Sequence, residues 1–155
     1  MTLSDIMTPN PKCCNLKHTI QDCAKMMVEF GVGILPVVDD RGKLIGTVTD
    51  RDIVKRAVAH NKPANTKVQD VYSDQPVHLH ENDTVEQAEE LMREGHIRRL
   101  IVIDDQKRPA GVVSVGDIAK SAEDAERFKE TLSVISEKTE SERTIEQLIG
   151  SESCG

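Results

Sequence analysis

The chain has 155 residues, 37 % of them hydrophobic, with Tyr72, Phe30 and Phe128 as its aromatic residues, no tryptophan, and a net charge of −7. That length buries a sizeable core, and the composition is not that of a disordered chain. The acidic charge argues against a broad nucleic-acid or anionic-membrane surface, no segment reaches the roughly 20 apolar residues of a bilayer span, and the opening MTLSDIMTPNPK lacks a signal peptide's apolar run, so a soluble cytoplasmic protein without nucleic-acid or membrane partners is expected.

The first predicted element is a short extended segment over Met7 to Pro11. A helix follows from Thr19, with Ile20, Cys23, Ala24, Met27 and Val28 at helical spacing on one apolar face and Thr19 as its N-cap. Ile34 to Val38, the turn DDRGK, and Leu44 to Val48 read as a hairpin. A second helix starts near Asp50. The order then repeats: an extended segment over Ser73 to Leu79, and a helix from Thr84 with Val85, Ala88, Leu91 and Met92 on its apolar face. A hairpin over Leu100 to Ile103 and Gly111 to Val113, joined by DDQKRP, and a helix from Val115 complete it. Beyond Ser121 the chain is rich in Glu, Lys and Ser. There Phe128, Leu132 and Ile135, then Ile145, Leu148 and Ile149, predict one or two weakly amphipathic helices ending in a frayed SESCG.

An offset of 65 aligns the two halves without a gap. Asp5 meets Asp70, Thr19 meets Thr84, Met27 meets Met92, Asp39 meets Asp104, and Gly46 and Asp52 meet Gly111 and Asp117. Such self-similarity marks an internal repeat. The expected fold is α/β, with two β-α-β-β-α units related by a pseudo-two-fold axis and packed sheet to sheet, because either unit alone would bury a poor core. The domains are a first unit over 1–62, a second over 63–122 and a tail over 123–155, and the body is expected to fold without residues 122–155.

Each unit places a polar corner between its last strand and last helix, GTVTDRDI and GVVSVGDI. Thr49-x-x-Asp52 and Ser114-x-x-Asp117 fit capping boxes, which account for the spacing by helix stability alone. The same corner also suits a ligand. A helix N-terminus and a hydroxyl favour phosphate, and a carboxylate favours neighbouring hydroxyls such as those of a ribose.

The repeated G-h-h-[ST]-x-x-D-[IV] corner, the hairpins GVGILPVVDDRGKLIG and HIRRLIVIDDQKRPAG, and the opening DIMTPNP resemble a tandem CBS (cystathionine-β-synthase) domain pair, or Bateman module, over about residues 1 to 122. The resemblance implies a cleft on each side of the interface between units. Such clefts commonly take AMP, ADP, ATP, S-adenosylmethionine or NAD. It implies that Asp52 and Asp117 hold ribose hydroxyls and that Thr49 and Ser114 lie near phosphate. Backbone around Gly33, Ile34 and Pro36 flanks the base in one cleft, with Arg98 to Ile101 as the counterpart in the other. Borrowing of first strands between units brings Thr8, Pro9, Asn10 and Cys13 toward the Asp117 cleft and Ser73 to Val77 toward the Asp52 cleft. An arginine at the place of Arg98 or Arg99 contacts phosphate; the alternative for these arginines is an ion pair with the Asp104/Asp105 turn. Arg51 stands where the second corner has Gly116, and the Asp52 cleft, where Thr49, Arg51 and Arg99 converge, is the favoured one. The resemblance also implies a homodimer and an unidentified effector protein.

No nucleophile elbow, Walker loop or metal motif is present. Together with the resemblance, this makes the expected function that of a non-catalytic sensor with an adenine nucleotide as regulatory ligand. The alternatives are a ligand-free dimerisation or interaction scaffold, in which the corners are only caps, and a redox or metal protein using Cys13, Cys14, Cys23 and His18. The cysteine spacing fits no zinc pattern.

Overall fold

The computed structural model describes residues 1–121 and 125–137. A short helix α1 (Leu3–Ile6) leads into strand β1 (Thr8–Pro9). Helix α2 (Ile20–Phe30) and the hairpin β2 (Ile34–Val38) and β3 (Leu44–Thr49) follow. After β3 comes α3 (Asp50–Asp52), which continues as a π-helical turn over Ile53–Ala57 and a 3-10 turn over Val58–His60. The second unit is β4 (His78–His80), α4 (Val85–Gly95), β5 (Arg99–Ile103), β6 (Pro109–Ser114) and α5 (Val115–Ser121), and α6 (Ala125–Ser136) ends the described chain.

The long helices start where capping chemistry directs. Thr19 Oγ1 accepts the Asp22 N–H, and Asp22 accepts the Thr19 N–H at 2.9 Å. Thr84 and Gln87 repeat the exchange. These reciprocal bonds satisfy donors that the first turn would otherwise leave orphaned. The hairpin turns are tied alike. Asp39 accepts from the Arg41 and Lys43 amides, and Asp104 from the Gln106 and Arg108 amides.

The four-stranded sheet has the order β1-β6-β5-β4, with β4 and β5 parallel and the other pairs antiparallel. The first unit's sheet is β2-β3, flanked by single bridges of Cys14 with Val37 and of Thr47 with Ser73. At the offset of 65 these bridges match the pairs Leu79–Val102 and Thr8–Val112. The two units therefore exchange first strands: Thr8 pairs into the second sheet and Ser73 into the first. Gly46 and Gly111 permit the exchange. A Cβ at Gly46 would strike the Ser73 carbonyl, and one at Gly111 would strike Met7 Sδ and come within 2.9 Å of the Thr8 carbonyl.

The cores follow the exchange. The first gathers Cys14, Ile20, Cys23, Met27, Leu35, Val37 and Val48 with Val68 and Val71 from the second repeat. The second gathers Val85, Ala88, Met92, Leu100, Val102, Val113 and Ile118 with Leu3 from the first. Strand alternation turns Pro36 and Ile101, equivalent in the repeat and both buried, to the faces opposite these cores.

One expectation needs correction. The apolar face read on α2 packs only in part: Ile20, Cys23 and Met27 are buried, while Ala24 is half-buried and Val28 is 84 % exposed. Helix α6, within the tail, packs on the second unit. Ile135 is buried in its core and Phe128 packs against it. Beside them Glu89, 1 % exposed, accepts two bonds from Arg127 at 3.2 Å and one from Thr131 at 3.0 Å. Arg93 donates to Thr131 at 2.7 Å. Ile145, Leu148 and Ile149 lie outside the described residues.

Candidate functional site

The strand exchange and the hairpins meet in a cleft of about 420 Å³, within the range of small-molecule sites. One wall is the second unit's corner: Val112 and Ser114 of β6, Asp117 of α5, and Arg99 of β5. The facing wall belongs to the first repeat: Thr8, Pro9 and Asn10 of the exchanged strand, and Gly33 and Ile34 leading into β2. Eight of the expected residues thus share one cleft: Thr8, Pro9, Asn10, Gly33, Ile34, Arg99, Ser114 and Asp117.

Asp117 is held by its capping box. Its Oδ2 accepts the Ser114 N–H at 2.9 Å, and Ser114 Oγ accepts the Asp117 N–H at 3.2 Å. Among the described residues Asp117 has no further side-chain bond and no ion pair, so Oδ1 keeps its acceptor capacity. Asp52 builds the same box with Thr49 at 2.9 and 3.0 Å, but its Oδ1 also lies 3.8 Å from Arg56 Nε. Arg56 aligns with Ser121, whose hydroxyl bonds the Asp117 and Ile118 carbonyls instead. One (i, i+4) arginine therefore engages the first carboxylate and leaves the second open.

Arg99 crosses between the units. Its Nη2 is 3.7 Å from Asp50 Oδ1, and its guanidinium lies against Gly33, where a Cβ would collide with it. Its partner is Asp50, not the Asp104/Asp105 turn. At the equivalent of Gly33 stands Arg98, an exposed residue whose carbonyl accepts the Val115 N–H, as the Gly33 carbonyl accepts the Asp50 N–H.

Pro36, Thr49, Arg51, Asp52, Arg98 and Gly116 do not line the Asp117 cleft. Pro36 is buried on β2, Thr49, Arg51 and Asp52 form the other corner, and Gly116 is exposed on α5 beside Asp117. Cys13 does not line the cleft either; its thiol donates to the Pro11 carbonyl at 3.4 Å. Sequence reasoning missed Lys12 and Phe30, which do line it, with the Lys12 Nζ 4.7 Å from the Phe30 ring centroid. Their signal was present: at the offset of 65 they stand where the second repeat has Val77 and Gly95.

Two of the three cysteines of the alternative redox or metal reading take core positions. Cys14 and Cys23 are buried in the first core, where a hydrogen bond with Cys23 and burial push the Cys14 thiol well above the ordinary range. Among the described residues no group of His, Cys, Asp and Glu has a metal-holding arrangement. No described helix is long and apolar enough to cross a membrane.

The geometry and the repeat agree with comparison to known proteins. A model of the CBS domain matches residues 3–59 and again 68–124. The chain belongs to the CBS-domain family. The uncharacterised protein YlbB of Bacillus subtilis (strain 168) is 36 % identical over 136 residues, spanning 87 % of this chain and 91 % of the relative. Among solved structures, the CBS domain pair of protein MJ0100, in complex with 5′-methylthioadenosine and S-adenosyl-L-methionine, superposes with a TM-score of 0.72 at 29 % identity, covering 78 % of this chain and 94 % of the other. CBSX2 in complex with AMP does so with a TM-score of 0.69 at 28 % identity, covering 78 % and 95 %.

Proposed function

We propose that the protein is a non-catalytic regulatory module that binds an adenosine-containing ligand in the Asp117 cleft. The observation that carries this reading is the open Oδ1 of Asp117 inside a cleft of ligand size. A carboxylate anchored through one oxygen presents the other to vicinal hydroxyls without moving, so little ordering is lost on binding. The apolar backbone wall around Gly33 and Ile34 is suited to the flat base. That MJ0100 and CBSX2 are complexed with adenosine derivatives supports the same class of ligand here. Asp52, shared with Arg56, is the weaker of the two ribose acceptors, so the first-choice cleft is that of Asp117.

The test is the thermal midpoint of the protein with and without millimolar AMP, ADP, ATP, S-adenosylmethionine and NAD. A ligand at about 100 times its dissociation constant stabilises the folded state by about 2.7 kcal/mol, a rise of roughly 5–11 °C for a chain of this size. A selective rise is expected. No rise with any of them would leave both corners as helix caps and favour the scaffold reading.

We also infer a homodimer formed through the first unit. Ala24 and Val28 of α2 occupy the places of Glu89 and Arg93, which α6 engages on α4. That face of α2 is apolar, with Val28 84 % exposed, and in the same unit Val54 and Val58 after α3 are 60 and 63 % exposed. Lys25 and Glu29 flank it and would pair across a two-fold axis. Sedimentation equilibrium should give a dimer for the native chain and a monomer for Val28→Glu.

A further inference from the structure

The cleft wall carries two cationic side chains, Lys12 and Arg99, in a chain whose net charge is −7. Arg99 is matched by Asp50 at 3.7 Å. Lys12 is matched by no carboxylate among the described residues; the group it meets is the face of Phe30. An ammonium on an aromatic face is attracted by the ring quadrupole. Ribose hydroxyls have their acceptor in Asp117, which leaves Lys12 to act on whatever the ligand carries beyond the nucleoside. The solved relatives show two opposite answers, the phosphate of AMP and the sulfonium of S-adenosylmethionine.

We propose that Lys12, carried on the Phe30 ring, is a specificity-determining residue that makes the Asp117 cleft select a phosphorylated adenosine over the uncharged nucleoside and over a sulfonium nucleoside. This rests on the reading of the cleft as an adenosine site. An ammonium in the wall attracts a phosphate and repels a sulfonium by the same Coulomb term, and the effect is screened by salt. The Lys12–Phe30 pair belongs to this cleft alone; in the other half the cations Arg98 and Arg51 stand at the places of Gly33 and Gly116. The positions equivalent to Lys12, Phe30 and Arg99 in the other half are Val77, Gly95 and Ile34, which carry no charge, and the place of Pro9 is taken by Asp74.

The experiment is calorimetric titration of the full chain with adenosine, AMP and S-adenosylmethionine, for the native sequence, Lys12→Met and Phe30→Leu. Methionine keeps the apolar stem and removes the charge. The native protein should bind AMP about tenfold more tightly than adenosine, the scale of one charge-assisted contact, and S-adenosylmethionine more weakly than adenosine. Lys12→Met should remove most of the preference for AMP while adenosine affinity stays within about twofold, and Phe30→Leu should remove part of it. Equal native affinities for AMP and adenosine, or a Lys12→Met change that lowers both alike or neither, would overturn the proposal while leaving the adenosine site standing. Failure of all three ligands to bind the native protein would overturn the adenosine site, and the role of Lys12 with it.

Discussion

Arg127→Ala puts the docking of α6 to a quantitative test. Glu89 is 1 % exposed, so its carboxylate depends on its protein partners, and Arg127 supplies two of its hydrogen bonds at 3.2 Å. Removing one partner of a buried pair costs about 3–5 kcal/mol. Here the cost is reduced, because Thr131 still donates at 3.0 Å, Arg93 remains at 3.7 Å, and Arg127 is itself 33 % exposed. About 2–3 kcal/mol remains, a fall in Tm of roughly 4–12 °C for a chain of this length. Urea unfolding followed by far-UV circular dichroism measures it, with an unchanged m-value as the control for two-state behaviour. The double variant Glu89→Leu/Arg127→Leu should recover part of this loss by removing the unpaired carboxylate, but not all of it, because the buried Thr131 hydroxyl then loses its acceptor and Arg93 its ion-pair partner. A single variant within about 0.5 kcal/mol of native would refute the claim that this cluster fastens α6.

Other consequences follow from the repeat and from the buried groups. Gly42 and Lys107 occupy equivalent turn positions, and Lys107 adopts the left-handed conformation at φ 63°; Lys107→Gly should therefore stabilise the protein by up to about 1 kcal/mol, read as a higher urea midpoint, and a loss of stability would contradict the turn assignment. The Thr2 and Thr19 amides that bond Asp5 and Asp22 hold both carboxyls below the usual aspartate range, so their contribution is present above about pH 4 and is lost as pH falls through the lower folded values; the thermal midpoint should be level from pH 7 to pH 5 and decline below pH 4. The Cys14 thiol, held up by its bond to Cys23 and by burial, should resist iodoacetamide at pH 8 in the native protein and react once urea unfolds it, as peptide mass spectrometry would show.

Much of the fold was legible because the repeat constrains it twice. Thr19 and Thr84 announce their helices, and the turns at Asp39 and Asp104 are bonded alike. Fold class then follows from pairing two small units, each of which would bury a poor core alone. The docking of α6 was not legible, because Glu89 and Arg93 read as a solvated helix face until Arg127, 38 residues beyond Glu89, is brought to them. The distinction between the corners was only half legible. The identical capping boxes are visible in sequence, and the Arg56-for-Ser121 difference that occupies Asp52 lies one helical turn further on. Lys12 and Phe30 are far apart in sequence and take meaning only once the exchanged strand sets them in one wall.

The most direct measurement is the affinity of the full chain for AMP by calorimetry, compared among the native protein, Asp117→Asn and Asp52→Asn. Asparagine keeps an oxygen to accept the capping N–H and replaces the other acceptor by a donor, which separates ligand binding from helix stability. The account predicts that Asp117→Asn weakens binding by about 30-fold or more, as expected for lost hydrogen bonds to a charged acceptor, while Asp52→Asn changes it less than threefold. Equal losses in the two variants, or a loss confined to Asp52→Asn, would contradict the assignment of the site to the Asp117 cleft.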